Sequence, residues 1–194
     1  KLFFNNIFPF KKGPLAKRPT PPGFHGKTRT RRTSEFGLRL KEKQKIRFYY
    51  GLKEKQVRTL VVKSKKKESN WLLAFVDTVK RRLDNLLFRL GFYPTIPSAR
   101  QAIVHGHAFV NGKRCDIPSC IIPIGSEISL SKKAYDNVLV QATMKEPTLE
   151  LPHYLKRDTK DGTQIGTVID RPLLTDLPFE FEHQYFIEFY GKTK

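Results

Sequence analysis

The chain has 194 residues, a formal net charge of +19 and a sequence pI of about 10.1, with 39% hydrophobic residues. That length holds one or two small domains. No run of about 18 apolar residues is present, which excludes a membrane-spanning helix, and the apolar opening KLFFNNIFPF is too short for a signal peptide and lacks a small-residue cleavage site.

The charge is unevenly placed. Residues 1–67 hold 21 Lys and Arg against 3 Asp and Glu, whereas residues 68–194 hold 16 against 15. Like charge at that density repels itself until a polyanion neutralises it. Nucleic acid is the usual polyanion for a basic region of this kind.

Residues 1–33 show no helical period and hold Pro9, Pro14, Pro19, Pro21 and Pro22. They read as an extended basic arm that orders on a partner. Within it, Lys27, Arg29, Arg31 and Arg32 alternate with threonines after a Pro-Pro-Gly turn. The run suits phosphate contact on RNA; the plainer alternative is a solvated arm.

Residues 34–81 read as a helical N-terminal domain. Ser34 is a plausible cap for a helix running to about Tyr50 and broken by Gly51. Phe36, Leu40, Ile46 and Tyr50 are placed to face inward, leaving Lys41, Lys43, Lys45 and Arg47 in water. Lys41, Lys43, Gln44, Lys45 and Arg47 could match backbone phosphates, with only Glu42 to offset them. A second helix is expected over Lys53–Lys66. A third starts near Asn70 with Trp71, Leu72, Phe75, Val76 and Val79 apolar, and could join the helix that begins at Arg82.

Residues 82–143 carry the most specific pattern. Leu83, Leu86, Leu87 and Leu90 form one helix face before Gly91. Pro97 and Ser98 open a second helix, with Ser98 offering a cap oxygen, which runs through Arg100, Ile103 and Val104 and stops at Gly106. Ala108–Val110 is a short strand, and Asn111-Gly112 is a strong hairpin signal. Lys113 and Arg114 follow on the exposed tip. Arg100 and Gln101 lie near a helix start, where backbone N–H groups favour phosphate. Arg82 could face RNA or form an ion pair with Asp84. No carboxylate or cysteine stands at ligand spacing from His105 and His107, so a helix-terminal or RNA-facing role is favoured over metal binding.

In residues 144–194 a helix over Lys132–Met144 gives way to an acidic, proline-punctuated loop, and Gly166–Ile169 is a strand candidate. Phe179–Tyr190 satisfies both a strand and a helix period. Its Phe179, Phe181, Tyr185, Phe186, Phe189 and Tyr190 suit core packing better than base stacking. Cys115 and Cys120 are the only cysteines, below the usual structural ligand count, and are expected as free thiols. No G-x-S-x-G, Walker or H-E-x-x-H motif is present.

The order helix, SARQ, helix, HGH, strand, VNGK, strand, PIGSEI resembles the RNA-binding module named after small-subunit ribosomal protein four. Similar modules are appended to pseudouridine synthases and tyrosyl-tRNA synthetases. The flanks PPGFHGK (21–27), SEFGLRLKEKQKIRFYYGLKEKQ (34–56) and DLPFEFEHQYFIEFYGK (176–192) resemble the ribosomal protein four family itself, over roughly Lys17–Lys192.

The resemblance implies an α+β fold: the basic arm, the helical domain, a module of two helices with a short β-hairpin or sheet, and a terminal helix packing back on the helical domain. It implies RNA contact in the module by Arg82, Arg89, Ser98, Arg100, Gln101, His105, His107, Asn111, Gly112, Lys113 and Arg114. It further implies a structural constituent of the small ribosomal subunit, not an enzyme. Such a protein would bind small-subunit rRNA at a junction in the 5′ domain and nucleate assembly. It would contact small-subunit ribosomal protein five and support decoding accuracy. Lys27, Arg29, Arg31 and Arg32 would line the channel through which mRNA enters.

No cofactor and no membrane contact are implied. Zinc-binding relatives use an N-terminal cysteine cluster, and with no cysteine before Cys115 a zinc-free version is expected. KEKQKIRFYYGLKEKQ and RLGFYPTIPSARQ resemble plastid forms, which implies a plastid-encoded protein of the chloroplast ribosome. A bacterial cytoplasmic or mitochondrial origin is the alternative. The other functional reading is a free-standing, ribosome-associated RNA-binding factor using the same module.

Overall fold

The computed structural model describes residues 33–160 and 163–191. The arm candidates Lys27, Arg29, Arg31 and Arg32 lie outside the described residues. The chain divides into two compact units. One comprises the described residues up to Lys63 together with those from Leu177 onward; the other is Ser64–Asp176.

In the first unit, α1 (Glu35–Tyr49) starts where expected, with Ser34 Oγ accepting from the Gly37 amide at 3.2 Å. The second helix, α2 (Glu54–Lys67), begins in this unit and buries Val57 and Val61. The ambiguous C-terminal segment resolves as α8 (His183–Gly191). Its Phe186 and Tyr190, one helical turn apart, are both buried, and their rings meet edge-on at 5.1 Å. The helix sets Phe186 and Tyr190 on one face one turn apart. The Phe179 ring lies tilted against Tyr49 with centroids 5.2 Å apart, and Phe181 meets Phe186 edge-on at 5.5 Å. Phe186 and Tyr190 are therefore core, with Phe179, Phe181, Tyr185 and Phe189 half-buried around them.

Two sequence expectations fail in α1. Phe36 is 63% exposed, meeting only the edge of this core through Phe189 at 6.2 Å. Conversely, Lys43 and Lys45 are buried. The carboxylates of Glu54 and Glu42 lie 2.8 and 2.7 Å from their ammonium groups, so each charge enters the interior paired.

In the second unit, Asn70 caps α3 (Trp71–Lys80). The chain does not run on into the next helix. Arg82 is extended (φ −65°, ψ 139°) and bridges Ile121, so α4 (Leu83–Arg89) is separate. The cap of α5 (Ile96–Val104) is Thr95, not Ser98: Thr95 Oγ1 accepts from the Ser98 amide at 3.2 Å. Pro97 lies one residue deeper in the first turn than the sequence reading placed it.

Five strands form one antiparallel sheet: β1 (Ala108–Val110), β2 (Lys113–Arg114), β3 (Glu127–Leu130), β4 (Leu155–Lys160) and β5 (Thr163–Val168), in the order β2-β1-β3-β5-β4. Asn111 and Gly112 take φ of 49° and 76°, the two positive values a tight β1–β2 turn needs. The predicted 132–144 helix is split into α6 (Lys132–Tyr135) and α7 (Val138–Lys145), the second capped by Asn137 Oδ1 on the Leu139 amide at 2.8 Å.

The core of this unit joins Leu83, Leu86, Leu87 and Leu90 of α4 to Phe92, Ile103, Ile128, Tyr154 and Val168. Each such side chain stabilises the fold by about 1.5–3 kcal/mol when removed from water. The sheet approaches α4 at Gly166, where a Cβ would fall 2.3 Å from Leu90 Cδ1. The fold is mixed helix and antiparallel sheet, and no described helix is long and apolar enough to cross a membrane.

Candidate nucleic-acid interface

The end of α5 and the β1–β2 hairpin meet at a corner. Gly106 takes φ 76°, turning the chain from α5 into β1. The Arg114 guanidinium lies over this glycine, since a Cβ there would stand 2.0 Å from Nη2. Gln101, His105, Asn111, Gly112, Lys113 and Arg114 are all exposed at this corner. Among the described residues, no carboxylate pairs with Lys113 or Arg114. The corner thus offers two cations free of ion pairs among the described residues, a side-chain amide and an imidazole on backbone held by helix and sheet.

Asn111 also supports this surface. Its Oδ1 accepts from the Glu127 amide at 2.8 Å, its own amide donates to the Glu127 carbonyl at 2.9 Å, and Nδ2 reaches Ser126 Oγ at 3.4 Å. The hairpin is thereby tied to β3. His107 is half-buried, with Nδ1 at 3.0 Å from Ser131 Oγ, and its ring centroid lies 6.4 Å from that of His105.

The module's arginines behave differently. The Asp84 carboxylate, 1% exposed, receives Arg82 Nε at 3.1 Å and Nη2 at 2.7 Å, Arg100 Nη2 at 2.7 Å and the Asn85 amide at 2.9 Å. Arg82 is buried in this pair, the structural alternative raised by the sequence. Arg100 is half-buried and shares the same oxygen. Arg89 is also buried, and its Nη2 donates to the Asp176 carbonyl at 3.0 Å. Ser98 is half-buried on the first turn of α5.

On α1, Lys41, Gln44 and Arg47 are half-buried, and the Arg47 guanidinium lies 4.8 Å from the Phe48 ring centroid. Lys43 and Lys45 turn inward, Lys45 also donating to the Glu180 carbonyl at 2.9 Å. Burial acts to raise the Glu54 carboxyl, but the hydrogen bond and charge of Lys43, with Tyr190 and Arg47, carry it below its ordinary value. The predicted array on α1 is therefore not a uniform wet face.

Sequence reasoning missed the outer face of α2. Lys55, Arg58 and Lys63 are exposed there, and among the described residues none has an ion-pair partner. The signal was available: EKQVRTLVVKSKKK holds one acid against six cations, with Val57 and Val61 marking the buried side.

Among the described residues, no group of three or more His, Cys, Asp or Glu could hold a metal ion. What the arrangement offers is cations, amides and a rigid turn, which suits phosphate contact rather than bond-making chemistry.

The family model described as Ribosomal protein S4/S9 N-terminal domain matches residues 4–79, and that described as S4 domain matches residues 81–128. Small ribosomal subunit protein uS4B of Bdellovibrio bacteriovorus is 46% identical over 182 residues, covering 93% of this chain and 87% of the relative. Small ribosomal subunit protein uS4 of Methylobacillus flagellatus is 42% identical over 178 residues (91% and 86%). That of Sphingopyxis alaskensis is 37% identical over 190 residues (96% and 92%). With identity of this order along nearly the whole chain, and with the module's corner and the helical unit both in place, the chain belongs to the small ribosomal subunit protein uS4 family.

Proposed function

We propose that this chain is a structural constituent of the small ribosomal subunit that binds small-subunit rRNA directly. The observation that carries this is the corner where Arg114 lies over Gly106, with Lys113, Gln101 and His105 exposed on the same helix end and hairpin and, among the described residues, no ion pair to Lys113 or Arg114. RNA helices are read mainly through shape and phosphate contacts. A rigid patch of two cations with neutral hydrogen-bonding groups matches that need without a base code. The exposed Lys55, Arg58 and Lys63 of α2 supply a second cationic face, and binding through both weakens as salt rises.

Buried Arg82 and Arg89 act in this account as supports, while Arg100 and Ser98 stand half-buried beside them. The rRNA site is a junction in the 5′ domain, where binding nucleates assembly. Lys27, Arg29, Arg31 and Arg32 line the channel through which mRNA enters, and the protein contacts small-subunit ribosomal protein five, supporting decoding accuracy. We assign it to a plastid ribosome on the resemblance of KEKQKIRFYYGLKEKQ and RLGFYPTIPSARQ to plastid forms. The family is one of ribosomal structural proteins, and no enzymatic role is assigned.

Co-sedimentation of the tagged chain through a sucrose gradient at high salt tests the reading. Near-stoichiometric persistence with the small subunit is expected. Release to the top of the gradient would overturn it.

A further inference from the structure

Cys115 and Cys120 bracket the segment that leaves β2, and both pack half-buried against the module's core. The two cysteines converge on one acceptor: Cys115 Sγ lies 3.9 Å from the Ile117 carbonyl oxygen, which also accepts from the Cys120 amide at 3.1 Å. The segment between them is held as a turn by the Cys120 amide donating to the Ile117 carbonyl at 3.1 Å. It is docked on the start of α4 by the Leu83 amide donating to the Cys120 carbonyl at 2.9 Å and the Asp84 amide to the Pro118 carbonyl at 3.1 Å. Both cysteines thus flank one folded turn that the start of α4 holds in place.

We propose that Cys115 and Cys120 form a dithiol modification site, which a low-molecular-weight disulfide converts to an intramolecular disulfide within the folded protein. The chemistry balances in two exchanges. One cysteine thiolate attacks a sulfur of the small disulfide, forming a mixed disulfide and releasing one small thiol. The second cysteine, having lost its proton to solvent, attacks the protein sulfur of that mixed disulfide, closing the ring and releasing the other small thiol. Two protein thiols are oxidised and one small disulfide is reduced to two thiols.

Burial pushes the Cys120 thiol up, and the adjacent Cys115 thiol pushes it further. Whichever thiol attacks first, the other stands across the same turn and serves as the resolving thiol, its proximity replacing intrinsic reactivity. In the thiol state the turn is held by hydrogen bonds alone; in the disulfide state it is covalently closed beneath the segment that presents Asp84 to Arg82 and Arg100.

The test is titration of the full-length reduced chain with oxidised glutathione, read by intact mass and by free-thiol count. The chain contains only these two cysteines, so the readout is unambiguous. The expected product has lost both thiols, carries no glutathione and has lost the mass of two hydrogens. Cys120→Ser should instead accumulate a lasting glutathione adduct on Cys115. The ring should also form at an oxidised-to-reduced glutathione ratio at least about tenfold lower in the native protein than in guanidinium, reflecting the effective concentration the fold imposes. Lasting glutathione adducts on wild type, covalent dimers, unreactive thiols, or equal ring formation in native and unfolded chains would each overturn the proposal.

Discussion

The Arg114 guanidinium occupies the space that a side chain at position 106 would need, with Nη2 only 2.0 Å from the Cβ an alanine would carry. A glycine at the end of α5 and an arginine across the hairpin turn are thus one unit. The glycine supplies a left-handed backbone at φ 76°, and its bareness lets the cation lie flat over the corner.

Gly106→Ala should therefore act twice. Holding alanine in the left-handed region costs roughly 1–2 kcal/mol, visible as a lower urea midpoint with unchanged slope. Because Arg114 ends in a flexible group, it should swing away rather than break the fold. Affinity for a 5′-domain rRNA fragment should fall by more than the stability loss explains, measured at a temperature where the variant remains folded.

Removing the charge at Asp84 should cost more than removing any exposed cation. Asp84→Asn leaves Arg82 buried and Arg100 half-buried against a neutral amide, and breaking a buried pair of this kind costs about 3–5 kcal/mol. Chemical denaturation should show that loss. Because the pair is shielded, the difference from wild type should persist in molar salt. A loss that vanishes with salt would place the interaction at the surface.

Lys80 gives a pH signature. Burial, with Arg89 adding to it, brings its pKa down to about 8 from 10.5, against the opposing pull of Asp176. The folded chain thus releases this proton near pH 8, while the unfolded chain holds it to about 10.5. Between those values the unfolded state binds more protons, so this group's contribution makes stability rise with pH. Fully expressed, the shift is worth on the order of 3 kcal/mol. Tyr93, Tyr135, Tyr154 and Tyr190, all raised first by burial, oppose the trend near pH 10 and above. Cys120, raised by burial from 9.0, opposes it within pH 8 to about 9.5 as well, so over that window Lys80 is isolated by the difference between wild type and Lys80→Met rather than by either alone. Denaturation midpoints of wild type and Lys80→Met across that window should diverge, the variant lacking the upward slope.

Lys43 and Lys45 should be poor RNA contacts despite their sequence. Lys43→Met removes a charge paired to Glu54 at 2.8 Å and placed 4.9 Å from the Phe189 ring centroid, so it should lower stability by about 1–3 kcal/mol with little change in the salt dependence of RNA binding. Lys55→Met on the exposed face of α2 should do the reverse. Parallel denaturation and binding titrations of the two variants separate these outcomes.

Much of this was legible from the chain. Leucine spacing gave α4, Asn111-Gly112 gave the hairpin, and Ser34 gave the start of α1. What escaped depends on partners distant in sequence. β4 reads as LKRDTK, with few apolar residues to alternate, and is a strand because its backbone pairs with β5 through six residues from Leu155 to Lys160. Lys43 looked wet because Glu54, its partner, stands on the next helix. The Arg82–Asp84 pair was open in the sequence, two residues apart, but Arg89 looked like an RNA ligand because arginine on a basic protein carries that expectation, and only the fold brings the Asp176 carbonyl within reach. Thr95 escaped as a cap because Pro97-Ser98 supplied a stronger local signal two residues later.

The most direct test of the account is the salt dependence of binding between the full chain and a 5′-domain rRNA fragment, for wild type and the double variant Lys113→Ala/Arg114→Ala. Weaker binding and a log–log salt slope shallower by about 1–2 are expected, as when up to two phosphate contacts are lost. An unchanged affinity and slope would show that the corner does not touch RNA.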